Sequence, residues 1–181
     1  MVFELVQPRV LLCGSRRWPW PETVDAVLDR LEARCGERLV VIEGAASGAD
    51  RAVHSWCERR GLPDDRHRCH PVDWRAEREA RPQQWRMAGP ERNTRMLLQE
   101  RPRLILAFHD HFNPASGGTS DMALRGLVRD VPVWLLPGEG PDVGRWLSLP
   151  LFPHGRADRV RRELDGADSL FAQGLFADGA G

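Results

Sequence analysis

Four short stretches of this chain carry residue types and spacings suited to binding an anion. Gly14-Ser15-Arg16 follows one apolar run, and Gly44-Ala45-Ala46-Ser47-Gly48-Ala49-Asp50 follows another. Asp73-Trp74 and Gly117-Gly118-Thr119-Ser120-Asp121 complete the set. Glycines let a backbone approach a phosphate closely, and helix N-termini present unpaired N–H groups at the positive end of a dipole. Gly44, Gly48 and the Gly117–Thr119 turn each precede a helical pattern, so either loop can hold phosphate or a ribose oxygen. Ser15 and Thr119 add hydroxyl donors. Arg16 and Arg92 can grip phosphate with two parallel hydrogen bonds. Trp74 can stack on a base or cover a loop. Asp50, early in its helix, can face the ligand or complement the helix dipole. Cys13 reads as a small core residue, since no His lies beside it in sequence.

The elements that must position these residues alternate. Val10–Cys13, Leu39–Ile42, Leu104–Phe108 and Val131–Leu136 are short apolar runs that read as strands, the last with Pro132 at an edge or strand start. His67–Val72 reads as a weaker strand nearer a sheet edge. Between them, Val24, Val27, Leu28 and Leu31 have helical spacing after Pro21, with Gly36 as the stop. Ala49, Ala52, Val53, Trp56 and Cys57 share a second helix face that ends at Gly61, and further helices start near Pro90 and after Gly118. Such alternation predicts an α/β, Rossmann-like, doubly wound fold, with a mainly parallel sheet and helices on both faces. Ligands of such sheets bind beyond the carboxyl ends of the strands, where the unusual residues fall. The polar, Arg-rich stretch Glu77–Met87 reads as a surface excursion. Residues 1–140 form the expected nucleotide-binding domain. Residues 141–181 form a Gly/Pro-rich linker and C-terminal extension, with a short helix over Ala157–Leu164 and a frayed end from Ala177 to Gly181.

Composition removes several classes. The chain has 181 residues with 26 basic and 26 acidic side chains, and every basic one is Arg. Without Lys there is no Schiff base and no complete Walker A loop. Neither Gly-rich loop matches GxGxxG, against a standard NAD dehydrogenase. Zero net charge argues against strong non-specific nucleic-acid binding. Met1–Glu4 does not open a signal peptide, and no apolar run approaches a membrane span, so a cytoplasmic location without membrane attachment is expected. The four cysteines are spread without CxxC spacing, as in a reducing compartment. Cys69 with His70 and His67, or His109 with Asp110 and His111, lacks a second half at a recognised metal-binding spacing, so no metal and no cofactor are expected.

The ordered motifs resemble the DUF2493 proteins, the YspA-like branch of the SLOG superfamily, which includes the LOG proteins and the DNA-processing protein DprA. The resemblance lies in Cys13–Arg16, Val40–Asp50, His70–Trp74, Ala88–Asn93 with Met96, Leu106–Phe108 and Gly117–Asp121. It implies a nucleotide or nucleotide-derived ligand. LOG relatives hydrolyse the N-glycosidic bond of nucleoside 5′-monophosphates, and by this resemblance Arg92 and Asp121 fall at their catalytic arginine and glutamate. Asn93 stands where the LOG pattern has Lys, and Asp121 is one methylene shorter than Glu. A homodimer is implied in the same way. Two further readings stay open: a non-catalytic sensor of an NAD- or ADP-ribose-type signal, and DprA-like binding of single-stranded DNA through Arg75–Arg86 with Trp74 and Trp85.

Overall fold

The computed structural model describes residues 7–172. The expectations for the first four residues and for Ala177–Gly181 lie outside them. Six strands form one sheet: β1 (Arg9–Gly14), β2 (Val40–Glu43), β3 (His67–Cys69), β4 (Leu104–Phe108), β5 (Val133–Leu136) and β6 (Arg145–Trp146). Their order is β3-β2-β1-β4-β5-β6, parallel except for β6, which runs antiparallel to β5. The order reverses between β1 and β4, which opens a crevice at their carboxyl ends.

Strand parity splits the apolar residues into two cores, because successive side chains point to opposite faces. Val10 and Leu12 of β1, with Val41 and Phe108, pack against α1 (Pro21–Cys35) and α2 (Ala49–Arg60). Leu11 and Cys13, with Val40 and Ile42, pack against α4 (Ala88–Glu100), α5 (Gly118–Val128) and α6 (His154–Ala172). Both faces are covered, as a parallel sheet requires. Pro21 starts α1, and Gly36 and Gly61 end α1 and α2 with positive φ.

Three elements differ from the sequence reading. The sheet does not end at Leu136, since β6 adds an edge strand too short to show periodicity. The excursion at Glu77–Met87 contains a helix, α3 (Trp74–Ala80), and a single 3₁₀ turn, Trp85–Met87. The helix expected over Ala157–Leu164 runs nineteen residues as α6. It buries Ala157, Val160 and Leu164 in the same core as β1, and Leu147 and Phe152 join them. The expected linker and extension are thus built onto the sheet.

Gly48 tests how tightly the β1 loop closes on α2. Its φ is +73° and its ψ −119°, and a Cβ there would meet the carbonyl oxygen of Ser15 and the backbone of Arg16. Gly48→Ala is expected to cost about 3 kcal/mol from strain plus displaced backbone. That is a fall of roughly 6–12 °C in the thermal midpoint for a chain of this size. Gly36→Ala, also at positive φ but with nothing near its Cβ, should cost about 1 kcal/mol.

Candidate functional site

The crevice holds a cavity of about 530 Å³. Arg16 enters it from the loop after β1, and Trp74 and Arg78 from α3. Trp85 and Arg86 come from the 3₁₀ turn, and Arg92 and Asn93 from α4. Gly117, Gly118 and Asp121 come from the start of α5, and Arg156 from α6. Five guanidinium groups therefore face one carboxylate. Among the described residues, eleven of the 26 arginines make ion pairs with carboxylates, but none of these five does. The net charge of the chain is zero, so this concentration of unpaired cations is local.

The two indoles are part of the same wall. Trp74 and Trp85 meet edge to face at 6.0 Å. Arg16 lies over Trp74 at 5.7 Å, and Arg78 and Arg86 lie over Trp85 at 4.7 and 5.1 Å. Asp73 makes α3 possible: its side chain accepts hydrogen bonds from the N–H groups of Arg75 and Ala76, capping the helix that presents Trp74.

Arg92 is the most constrained of the five. It donates to the carbonyl oxygens of Gly44 and His70 and to Asn93 Oδ1, so it ties the loops after β2 and β3 to α4. Gly44 is required for this approach, because a Cβ there would strike the guanidinium. Burial lowers the pKa of Arg92, with Asp50 acting in the opposite direction. Burial likewise lowers that of Arg156, opposed by Asp121. Both cations are held where desolvation disfavours charge, and an added anion would relieve that cost. Arg156 is fixed by hydrogen bonds to the Pro114 carbonyl and to Ser120 Oγ, both at 2.5 Å.

Asp121 accepts from Asn93 Nδ2 at 2.9 Å and from Arg125 Nε at 2.8 Å, both on Oδ2. Arg125 is itself buried and also donates to Thr94 Oγ1 and Glu163 Oε2. Asn93 thus joins Arg92 to Asp121. The first N–H groups of α5, beside Gly117 and Gly118, have no partner within the helix, and a Cβ at either glycine would meet nothing. An anion can approach there.

The other residues singled out from sequence stand behind the cavity rather than on its wall. Gly14 lies where a Cβ would collide with the Phe108 carbonyl and Ala49, so it closes β1 against β4 and α2. Gly44 and Gly48 serve similar close approaches of chain to chain. Ser15 Oγ accepts from the Arg17 N–H, and Thr119 is buried. Asp50 is buried beneath the β2 loop, accepting from the N–H groups of Gly44 at 3.2 Å and Ala46 at 3.3 Å. Cys13 is a buried core residue whose thiol burial pushes far above the usual range, which makes it inert. Sequence reasoning did not assign Arg156. Arg78, Trp85 and Arg86 were legible only as part of an Arg- and Trp-rich stretch.

Asp50 should leave a trace in pH dependence. Burial pushes its carboxyl from 3.8 to about 6, against the pull of Arg92. The folded chain then keeps a proton that the unfolded chain releases near pH 4. This favours folding fully below about pH 4, and the advantage is lost as the pH rises through about 6. The unfolding free energy of Asp50→Asn relative to the parent is expected to rise between those pH values, by up to about 3 kcal/mol. A difference that stays flat in denaturant titrations would remove this assignment.

A larger cavity of about 1080 Å³ lies at the opposite, amino-terminal end of the strands, between Arg9, Leu97, Pro102, Pro132 and Phe171. The switch-point geometry and the convergence of loops favour the smaller crevice.

Fold and crevice together define a Rossmann-like α/β protein with a cationic, aromatic-edged site at its switch point. Residues 8–76, from β1 into α3, match the model of the YspA, cpYpsA-related SLOG family. This match suggests a role in binding a nucleotide-related ligand. The matched span stops before Arg92 and Asp121. No curated protein and no solved structure matches the chain. Among the described residues no helix is long and apolar enough to cross a membrane.

Proposed function

We propose that the crevice binds a nucleotide or nucleotide-derived ligand through its phosphate and its base, and that it hydrolyses the N-glycosidic bond of a nucleoside 5′-monophosphate. The observation that carries the binding reading is the set of five unpaired arginines and two tryptophans around one cavity of about 530 Å³, a volume suited to a small ligand. The phosphate sits at the N-terminus of α5 among Arg92 and Arg156, where charge-assisted hydrogen bonds are strongest. The base packs against the indoles of Trp74 and Trp85.

Asp121 supports the hydrolytic step. Its Oδ2 is fixed by Asn93 and Arg125, and Oδ1 carries no hydrogen bond among the described residues. A carboxylate held on one oxygen can use the other to stabilise positive charge as it develops at the ribose carbon, or to orient the attacking water. Arg92 positions phosphate or the departing base.

Incubation of the full chain with a panel of nucleoside 5′-monophosphates, NAD and ADP-ribose, followed by chromatography, tests both levels. Released base with ribose 5-phosphate is the expected result. A ligand that is retained but returned intact makes the protein a sensor instead. Retention of a single-stranded oligonucleotide and of no mononucleotide would favour the DNA-binding reading.

A further inference from the structure

On the far side of β2 from the crevice, four side chains with metal-binding atoms converge. Glu43 closes β2, and His67 and Cys69 alternate on β3, paired so that Val41 lies beside His67 and Glu43 beside Cys69. Parity therefore puts Glu43, His67 and Cys69 on one face of the sheet, and α2, packed on that face, supplies His54. Glu43 Oε1 lies 2.9 Å from His54 Nδ1 and 3.1 Å from His67 Nε2. Cys69 Sγ lies 3.9 Å from His54 Nδ1, and burial, with the Glu43 carboxylate, pushes its thiol pKa up. The carboxylate and imidazole donor atoms fall within 4.8 Å of one another.

We propose that Glu43, His54, His67 and Cys69 form a structural zinc site that pins the edge strand β3 and helix α2 to β2. One sulfur, two imidazole nitrogens and one carboxylate oxygen are the donor types of a four-coordinate zinc centre. Bonds of about 2.0–2.3 Å in a tetrahedron need donors about 3.3–3.7 Å apart. The Glu43 and imidazole donors spread over up to 4.8 Å, so they draw in by up to about an ångström around the ion, with Cys69 joining from beside His54. The outer groups fit as well. Glu43 Oε2 accepts from the Ala45 N–H, which leaves Oε1 aimed at the cluster. His54 Nε2, the nitrogen facing away from it, lies 3.5 Å from Glu58 Oε1, the arrangement by which a carboxylate orients a metal-bound imidazole. His54 is partly exposed at 39%, which gives the ion a route from solvent, while Glu43 is fully buried. On binding, the Cys69 thiol gives its proton to solvent and both imidazoles bind neutral.

The test is a zinc titration of the full chain, stripped with a chelator, in competition with a chromogenic indicator. One tightly held equivalent is expected. Cys69→Ser and His67→Gln should each weaken it at least about a hundredfold, while His111→Gln, on the exposed loop after β4, leaves it unchanged. Cobalt(II) in place of zinc should show a thiolate charge-transfer band that vanishes in Cys69→Ser. Should His67→Gln fail to fold, the near-isosteric Cys69→Ser decides alone. Absence of a tight equivalent, or equal zinc affinity in the parent and Cys69→Ser, overturns the proposal.

Discussion

Arg92→Gln is expected to weaken nucleoside 5′-monophosphate binding by about 10- to 100-fold, the loss of one charge-assisted contact of about 1.5–3 kcal/mol. Among the described residues Arg92 makes no direct ion pair, and the buried Asp50 offsets its charge only through space, so a bound phosphate would be the first anion in contact with it. Gln is too short to reach the Gly44 and His70 carbonyls together, so part of the effect comes from loosened loops. Arg86→Ala separates the two causes. Arg86 makes no hydrogen bond through its side chain among the described residues and rests on Trp85 at 5.1 Å. Its removal should weaken binding by a smaller factor, with no change in the thermal midpoint. Arg162→Ala, on the exposed face of α6, should change neither. Isothermal titration of the four proteins with one nucleotide, beside their thermal melts, reads all these effects.

Asp121→Asn is expected to slow base release by at least about a hundredfold while leaving the dissociation constant within about threefold. The step needs negative charge next to the ribose, and an amide of the same shape removes that charge alone. Packing should survive, because Arg125 keeps Glu163 at 2.7 Å and Thr94 at 2.9 Å. Single-turnover assays with chromatography of the base separate the two constants. Turnover equal to that of the parent would remove Asp121 from the reaction and leave a binding site.

β1, β2, β4 and β5 were legible because each is an apolar run flanked by Gly or Pro, whereas β3 (His-Arg-Cys) gave a weak signal and the two-residue β6 none. The face of every residue in β1 follows from parity alone. The crevice was legible where a residue type is costly unless used, as with Arg16, Arg92, Trp74 and Asp121. The glycines were harder. Gly14, Gly44 and Gly48 carry the signature of a phosphate loop, yet in the fold they admit Phe108, Arg92 and the Ser15 backbone. A sequence records that a Cβ is forbidden at a position, not whether a ligand or another stretch of chain forbids it. Asp73 and Asp50 pose the same ambiguity: both hold backbone N–H groups, one capping α3 and one bracing the β2 loop.

Arg156 was invisible for a different reason. It lies 35 residues beyond Asp121, after a Gly- and Pro-rich stretch, on a helix whose apolar positions are sparse. Only the packing of Ala157, Val160 and Leu164 against the core turns it into the crevice. Glu43 and His54 were hidden likewise, since they meet His67 and Cys69 through strand pairing and helix packing, not through spacing.

The central claim is that the unpaired arginines exist to hold a phosphate. Calorimetric titration of the full chain with adenosine 5′-monophosphate and with adenosine, at one ionic strength, tests it most directly. The expected result is saturable one-to-one binding of the nucleotide, at least about a hundredfold tighter than the nucleoside and weakening as salt is raised. Equal affinity for the two, or no binding of either by a folded chain, would contradict it.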